Sequence, residues 1–374
     1  MQIRLIDTLI KRDIQQFIEF PFKLYSKNAH WVPMLVSDMK LMLNKQKHPF
    51  YKHSEADFYV VEDRGETLGR IGVLHNRNYC EFHKEATAFF YFFESVDNRE
   101  VSCTLFQAAM GWAKQRKLER IIGPKGFLRS SGMGILIDGF DTLPAMGIPY
   151  NFPYYAALIE DFGFEKKLDQ FSGYMLGSES VGDRVHKAAE IARKRGGFQI
   201  KTFKNKKEMR HWIPQIQKVQ HEAFVGNPNY FPSTDEEFEM IANSMMAIAR
   251  PEMIKLILKG EDVAGFILSY PNIGKALQKT RGRMLPFGWI SLLLAKHTSR
   301  IIDFNGIGLL PQYQGLGANA MLYAEVEHTA RAMGIERGEF VQVNEDNYNS
   351  KSDWQSGGVN MNKLHRTYQL KLNP

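Results

Sequence analysis

Cysteine is nearly absent. Only Cys80 and Cys103 occur in 374 residues, and they form no Cys-x-x-Cys pair. A zinc knuckle and a secreted disulfide framework both need more thiols, so the chain reads as one made for a reducing, cytoplasmic setting. Long apolar runs are missing as well. The longest, 284–295, contains Pro286 and falls well short of the ~20 residues that a spanning helix needs, so no membrane span is expected. Low-complexity tracts are lacking, and so is any block of five or more basic residues. The opening residues 1–7 have the pattern of a strand, not of a secretory leader.

What is present is globular in composition, with 44% hydrophobic and 24% charged residues, enough for two cores of about 150–200 residues each. The net charge is +7. That fits a basic soluble surface or an anionic ligand, whether a phosphate-rich cofactor or nucleic acid. The densest basic cluster (Lys201, Lys204, Lys206, Lys207, Arg210) is interrupted by Phe203, Asn205, Glu208 and Met209. It reads as a solvated loop and helix start, and no nucleic-acid partner is expected from it.

The chain repeats itself. Residues 58–76 and 254–272 each read as strand, glycine turn and strand, with Gly69 and Gly265 at matching places. Further on, Asn151 precedes a helix-like stretch, Phe162-Gly163-Phe164 and a strand ending at Leu176. Asn347 likewise precedes a helix-like stretch, Gly357-Gly358 and a strand ending at Leu370. Both offsets are 196 residues (265 − 69 and 347 − 151). Two unrelated features at one offset indicate a duplicated domain. The polar stretch 177–182 reads as the linker, dividing 1–177 from 178–374.

The second copy carries a glycine-rich turn. Residues 300–310 read as a buried strand, which Pro311 ends. Gln314-Gly315-Leu316-Gly317-Ala318-Asn319 follows, then a helix with Leu322, Val326 and Ala330 on one face and Gly334 at its end. Such a turn directs the free N–H groups of a helix start outward. The helix dipole adds positive charge, and glycines let a pyrophosphate approach the backbone. A lone G-x-G is also compatible with an ordinary strand-to-helix turn.

The string Leu309-Leu310-Pro311-Gln312-Tyr313-Gln314-Gly315-Leu316-Gly317-Ala318-Asn319 resembles the acyl-CoA loop of the GNAT superfamily. That loop runs apolar-x-Pro-x-x-(Arg or Gln)-Gly-x-Gly-x-(Gly or Ala). The match departs only at the last place, where Asn319 stands for Gly or Ala. The preceding hairpin, the following helix and the strand 339–343 come in the family's order, and the resemblance covers most of 198–370. It implies an α+β chain of two GNAT-like domains, each a mixed, mostly antiparallel sheet flanked by helices. It also implies acetyl-CoA or another acyl-CoA bound through Leu309, Leu310, Gln314, Gly315, Leu316, Gly317, Ala318 and Asn319, with Asn347 against the pantetheine arm.

The family's chemistry is direct transfer of the acyl group from thioester to amine, which needs a base for the amine proton and a donor or stabiliser for the leaving thiolate. The resemblance places a base on the strand before the loop, and Asp303 is the residue there. By period two it would share a face with Asn305, Ile307 and Leu309. A carboxylate in an apolar strand has a raised pKa suited to a base; a strand-end Asp paired with Arg300 is the plain alternative. Many relatives carry a tyrosine seven residues after the asparagine, but Trp354 stands here.

The first copy lacks the loop. Between the strand 87–94 and the helix 101–116 there is no glycine, and Glu94, Asp97 and Glu100 would repel a pyrophosphate. Its glycine-rich insertion 123–150 reads as a long surface loop or as an anion site around Gly126–Gly134. Its aromatic run Tyr150, Phe152, Tyr154 and Tyr155 reads as core packing or as the wall of an amine site. The second copy's insertion 273–297 reads as a lid or as a helix packed on the first domain. The reading is an acyl-CoA-dependent N-acyltransferase for a small-molecule or peptide amine. A non-catalytic CoA-binding sensor or scaffold, and a tRNA-dependent aminoacyl transferase, are the alternatives.

Overall fold

Two β-hairpins anchor the two halves, and each follows from strand alternation closed by a glycine turn. In the first, Ala56, Phe58 and Val60 point into the core on alternate positions, and Arg64 and Gly65 take φ of 48° and 84° at the turn. In the second, Gly260 has φ 63°.

The computed structural model describes residues 1–372. The first half runs β1 (Gln2–Leu5), α1 (Lys11–Leu24), α2 (Val36–Leu43), β2 (Glu55–Asp63), β3 (Glu66–His75), α3 (Arg77–His83), β4 (Thr87–Ser95), α4 (Arg99–Gln115), β5 (Arg120–Gly123), β6 (Ile135–Asp138), α5 (Tyr155–Glu160) and β7 (Glu165–Leu176). The second runs α6 (Asp183–Arg195), β8 (Phe198–Lys201), α7 (Lys206–His211), α8 (Ile213–Phe224), α9 (Asp235–Ile248), β9 (Ile254–Lys259), β10 (Asp262–Pro271), α10 (Gly274–Thr280) and α11 (Gly288–Thr298). It ends with β11 (Ile301–Leu309), α12 (Ala318–Ala332), β12 (Arg337–Asn344), α13 (Tyr348–Ser356) and β13 (Asn360–Lys371).

The repeat is visible element by element: β2–β3 against β9–β10, β4–α4–β5 against β11–α12–β12, and α5–β7 against α13–β13. The strands are mostly antiparallel, with β4–β5 and β11–β12 parallel. In the second half, α6 and α12 cover one face of the sheet through Ala192, Leu309, Met321 and Leu322. Helices α7–α9 cover the other through Met209, Val219, Met246 and Phe266.

The last strand of each half crosses to the other. The sheet order is β1-β2-β3-β4-β5-β13-β7-β12-β11-β10-β9-β8, with β6 alongside β13. Thus β13 completes the first sheet against β5, and β7 completes the second against β12. The two lie side by side, and Arg366 of β13 grips Asp169 of β7 at 2.8 and 3.0 Å. We propose that the repeats 1–177 and 178–374 fold only as a pair. Expressed separately, each is expected to lack a cooperative melt, because an open sheet edge replaces a buried strand; co-expression should restore one soluble complex. A monomeric half with its own sharp thermal transition would sink this proposal.

Candidate active site

The loop after β11 is built from the chain's own turn chemistry. Leu310 N–H bonds back to Ala264 at 2.9 Å, Pro311 begins a single 3-10 turn, and the Gln314 side chain donates to the Leu309 carbonyl at 3.2 Å. Gly315 and Gly317 then take φ of 74° and 82°, a left-handed backbone that favours glycine. Gly317 is the N-cap of α12, and among the described residues no side chain caps that helix. The amides of the first turn, Ala318 and Asn319 among them, are therefore left for another acceptor. A Cβ on Gly315 would meet nothing within 4 Å among the described residues, so the loop surface at that position is open. Leu316 is exposed, and Leu309, Leu310 and Ala318 are buried beneath the loop.

A slot opens beside the loop. β11 and β12 pair only from Ile301/Arg337 to Phe304/Phe340. Beyond that point β11 pairs with β10 alone and β12 with β7 alone, so two strand edges face each other without a shared ladder. Unpaired strand edges offer backbone donors and acceptors to an amide-bearing chain lying between them. Phe304 and Phe340 stack at 4.5 Å where the strands part.

The other two loop-associated residues are engaged with α13. Asn319 donates its side-chain amide to Asp353 at 3.3 Å. Burial pushes the Asp353 carboxyl above its ordinary range, and the Asn319 hydrogen bond acts the other way. Asn347 is the N-cap of α13, its side-chain oxygen accepting from Ser350 N–H at 3.1 Å, and it is exposed. Trp354 is a core residue, edge-on to Phe340 at 5.6 Å and packed with Met175, Val343 and Val359. Burial holds the Tyr323 phenol well above its usual range, which makes it a poor proton donor near neutral pH.

Asp303 lies on β11 in register with Glu339 of β12 and Tyr270 of β10. Simple alternation placed it on one face with Ile307 and Leu309. The structure corrects this. The register between β10 and β11 slips, so that Leu268 faces Gly306 and Ser269 faces Phe304, leaving Asn305 as an extra residue. The slip reverses the parity. Ile307 and Leu309 pack towards α12, while Asp303 shares the opposite face with Tyr270.

On that face Asp303 is fully buried, without a salt bridge to Arg300, which pairs with Glu336. Its carboxylate accepts from the Asn272 side chain at 2.9 and 3.1 Å and from Met146 N–H at 2.9 Å. Burial raises its pKa to about 7; the two donors lower it, Glu339 raises it and Lys363 lowers it. Glu339 accepts from Arg337 at 2.5 Å, and the Arg337 guanidinium lies 3.7 Å over the Tyr174 ring. Lys363 is buried and donates to Thr142 at 2.5 Å. Sequence reading missed Asn272, Glu339 and Lys363. A carboxylate inside the apolar strand 339–343 was the available signal for Glu339.

The insertion 123–150 is not a surface loop. Phe127, Leu128, Ile135 and Leu136 are buried, and the segment reaches the second half. Met146 caps Asp303, Met133 accepts from the Gln342 side chain at 2.8 Å, and Arg129 donates to Gln220 at 2.9 Å. Of the aromatic run, Tyr155 is buried and Phe152 and Tyr154 pack against the same core, whereas Tyr150 is half-buried and donates to the Phe140 carbonyl. Tyr25 stacks on Trp31 and Phe152, and the Tyr25 and Tyr155 hydroxyls both bond Glu94 at 2.7 Å. In the first copy, Asn98 caps α4 by accepting from Glu100 and Val101 N–H, so the amides left free in α12 are occupied here. The insertion 273–297 divides. α10 packs on the first half, with Gln278 donating to the carbonyls of Ala29 and Trp31, whereas α11 buries none of its residues.

Two copies of a sheet with a parallel strand pair beside a helix start, one with the glycine loop and one without, make this a tandem GNAT fold. A tandem GNAT protein from the clavulanic acid biosynthesis pathway superposes over 100% of this chain and 99% of its own, with a TM-score of 0.59 at 10% identity. A GCN5-related N-acetyltransferase from Sphaerobacter thermophilus does so over 100% and 96%, with a TM-score of 0.54 at 14% identity. By sequence, the chain is similar to protein YghO of Escherichia coli, 28% identical over 286 residues, covering 76% of this chain and 72% of that one. It is similar also to the bacterial ceramide synthase of Caulobacter vibrioides, 24% identical over 287 residues, with 75% and 73% covered. No family model matches.

Proposed function

We propose that the protein is an acyl-CoA-dependent N-acyltransferase. The observation that carries this is the uncapped start of α12 behind Gly315 and Gly317, opening onto the slot between β11 and β12. The loop amides would hold the pyrophosphate, and the strand edges would bond the pantetheine amides. The acceptor amine would attack the thioester carbonyl, losing its proton to a base as the C–S bond breaks and the thiolate leaves. Asp303 is the proposed base, since its pKa of about 7 suits proton transfer near neutrality. It is buried, so an acceptor reaches it only as Met146 and its neighbours yield.

The relative named for ceramide synthesis makes a long-chain lipid amine the first acceptor class to test. Acetyl transfer to a small amine or peptide is the simpler version of the same reaction. Titration calorimetry with acetyl-CoA, palmitoyl-CoA and CoA tests the cofactor, and release of free thiol with sphinganine, spermidine or a lysine peptide tests the acceptor. Micromolar binding is expected for at least one thioester, and absence of binding by all three would end the proposal. A second reading, a CoA-binding protein without catalysis, is favoured by Trp354, a core side chain without a titratable proton near neutral pH at the place where the GNAT pattern would put a tyrosine. Binding without thiol release across these acceptors would support it.

A further inference from the structure

The segment 284–294 is at odds with water. α11 is apolar around most of its circumference, and helices of that kind are ordinarily buried in a core or in lipid. Here it buries none of its residues. Trp289, Ile290, Leu293 and Leu294, at the i, i+1, i+4, i+5 spacing of one helical stripe, are all exposed. The preceding turn adds Met284, Leu285 at 80% and Phe287 at 72% exposure. Large exposed apolar patches mark interaction sites.

The charge around the patch identifies the partner. Between Val263 and Ile302 there are six lysines and arginines and no Asp or Glu. Three of the cations are accounted for: Arg283 pairs with Glu19, Arg300 pairs with Glu336, and Lys296 donates to the Ala247 carbonyl. Lys275, Lys279 and Arg281 are exposed and have no salt-bridge partner among the described residues. Apolar side chains led by Trp and Phe, beside exposed cations that form no salt bridge among the described residues and without an acidic group in the segment, are the composition of an interfacial element that lies on anionic lipid. Among the described residues no helix is long and apolar enough to cross a membrane, so the element would lie on the surface.

We propose that the 284–294 segment docks the protein on an anionic bilayer, with the apolar stripe in the headgroup region and Lys275, Lys279 and Arg281 against the lipid charge. The surface stands whether or not the chain transfers an acyl group. From its position between α10, which packs on the first half, and β11, which carries Asp303, docking would bring the site to the membrane.

Flotation with vesicles of equimolar phosphatidylcholine and phosphatidylglycerol, and with phosphatidylcholine alone, tests it. The full chain is expected to float with the anionic vesicles and to release as salt rises. Phe287→Glu/Leu294→Glu should weaken partitioning at least about tenfold on both vesicles. Lys279→Glu/Arg281→Glu should weaken it on the anionic vesicles alone. Brominated lipid should quench fluorescence in the parent and not in Trp289→Phe. These side chains are exposed, so the variants should keep the parent's melting temperature. Acyl-CoA titration of the same samples reads the proposed function separately. Failure of the parent to float, or equal flotation of Phe287→Glu/Leu294→Glu, would overturn the proposal. So would a dimer in sedimentation that this variant dissociates, which would assign the stripe to a second copy of the chain.

Discussion

Gly315→Glu is expected to weaken acyl-CoA binding roughly 100-fold or more while lowering the melting temperature by only a few degrees. Gly317→Ala is expected to lower the melting temperature itself. The two glycines share a left-handed backbone and differ in what surrounds them. At Gly315 a side chain meets open space, so the cost to the fold is the backbone preference, about 1–2 kcal/mol. Its carboxylate would stand before the amides of α12 and compete with a pyrophosphate for them. At Gly317 a Cβ would come within 2.9 Å of the Ala192 Cβ and 3.1 Å of the Ala188 carbonyl, so α6 must move. Backbone strain and overpacking together make a loss of about 2–4 kcal/mol reasonable. Calorimetric titration and thermal melts on the two variants separate these effects. If Gly315→Glu bound acyl-CoA like the parent, the loop would not be the anion site.

Asp303→Asn is expected to reduce turnover by about 10²–10⁴-fold with the acyl-CoA dissociation constant nearly unchanged. The mutation removes the proposed base and keeps its shape. It also turns one amide towards the Asn272 donor, which sits 2.9 Å away. Exchanging the pair, as Asn272→Asp with Asp303→Asn, should therefore recover stability without recovering turnover. In the parent, kcat/KM should rise with pH through about 7, because the base must be ionised.

Stability should move the opposite way. The folded carboxyl titrates near 7 and its ordinary value is 3.8, so the native state binds the extra proton between those values. Stability from this group is fully present below the ordinary value and is lost as pH rises through about 7, by up to about 4 kcal/mol. Asp303→Asn should flatten that slope. Unchanged turnover in Asp303→Asn would remove the residue from the mechanism, leaving it a structural aspartate.

The loop was legible because its requirements are local. A left-handed φ at Gly315 and Gly317 admits few other residues, and Pro311 marks the end of the strand wherever the rest of the chain goes. The repeat was legible because both hairpins solve the same packing problem with the same pattern. The face that Asp303 occupies was not, because one slipped residue at Asn305 reverses strand parity and leaves no trace in residue type. Nor was the fate of 123–150. Its glycines read as surface loop, but Gly126 and Gly132 lie where a Cβ would strike Ser131 and the Gly147 carbonyl, so they serve close packing. Trp354 reads as a missing proton donor when counted along the chain and as a core residue once Phe340 stands beside it. Strand alternation states which side is apolar and does not name the neighbouring strand, so the crossing of β7 and β13 was out of reach.

That crossing bears on how the chain is made. As synthesis proceeds, β5 emerges early but its partner β13 is made only with residues 360–371, so the first sheet stays open at one edge until then. Meanwhile β7 is ready long before β12 exists to receive it. Until residues 360–371 are made, the nascent protein carries unsatisfied strand edges that belong together and are held apart by the order of the message. Folding should therefore be late and concerted, with heavy reliance on chaperones. A ribosome stalled shortly before residue 360 should hold a chain that proteases cut throughout, in the first half as much as in the second.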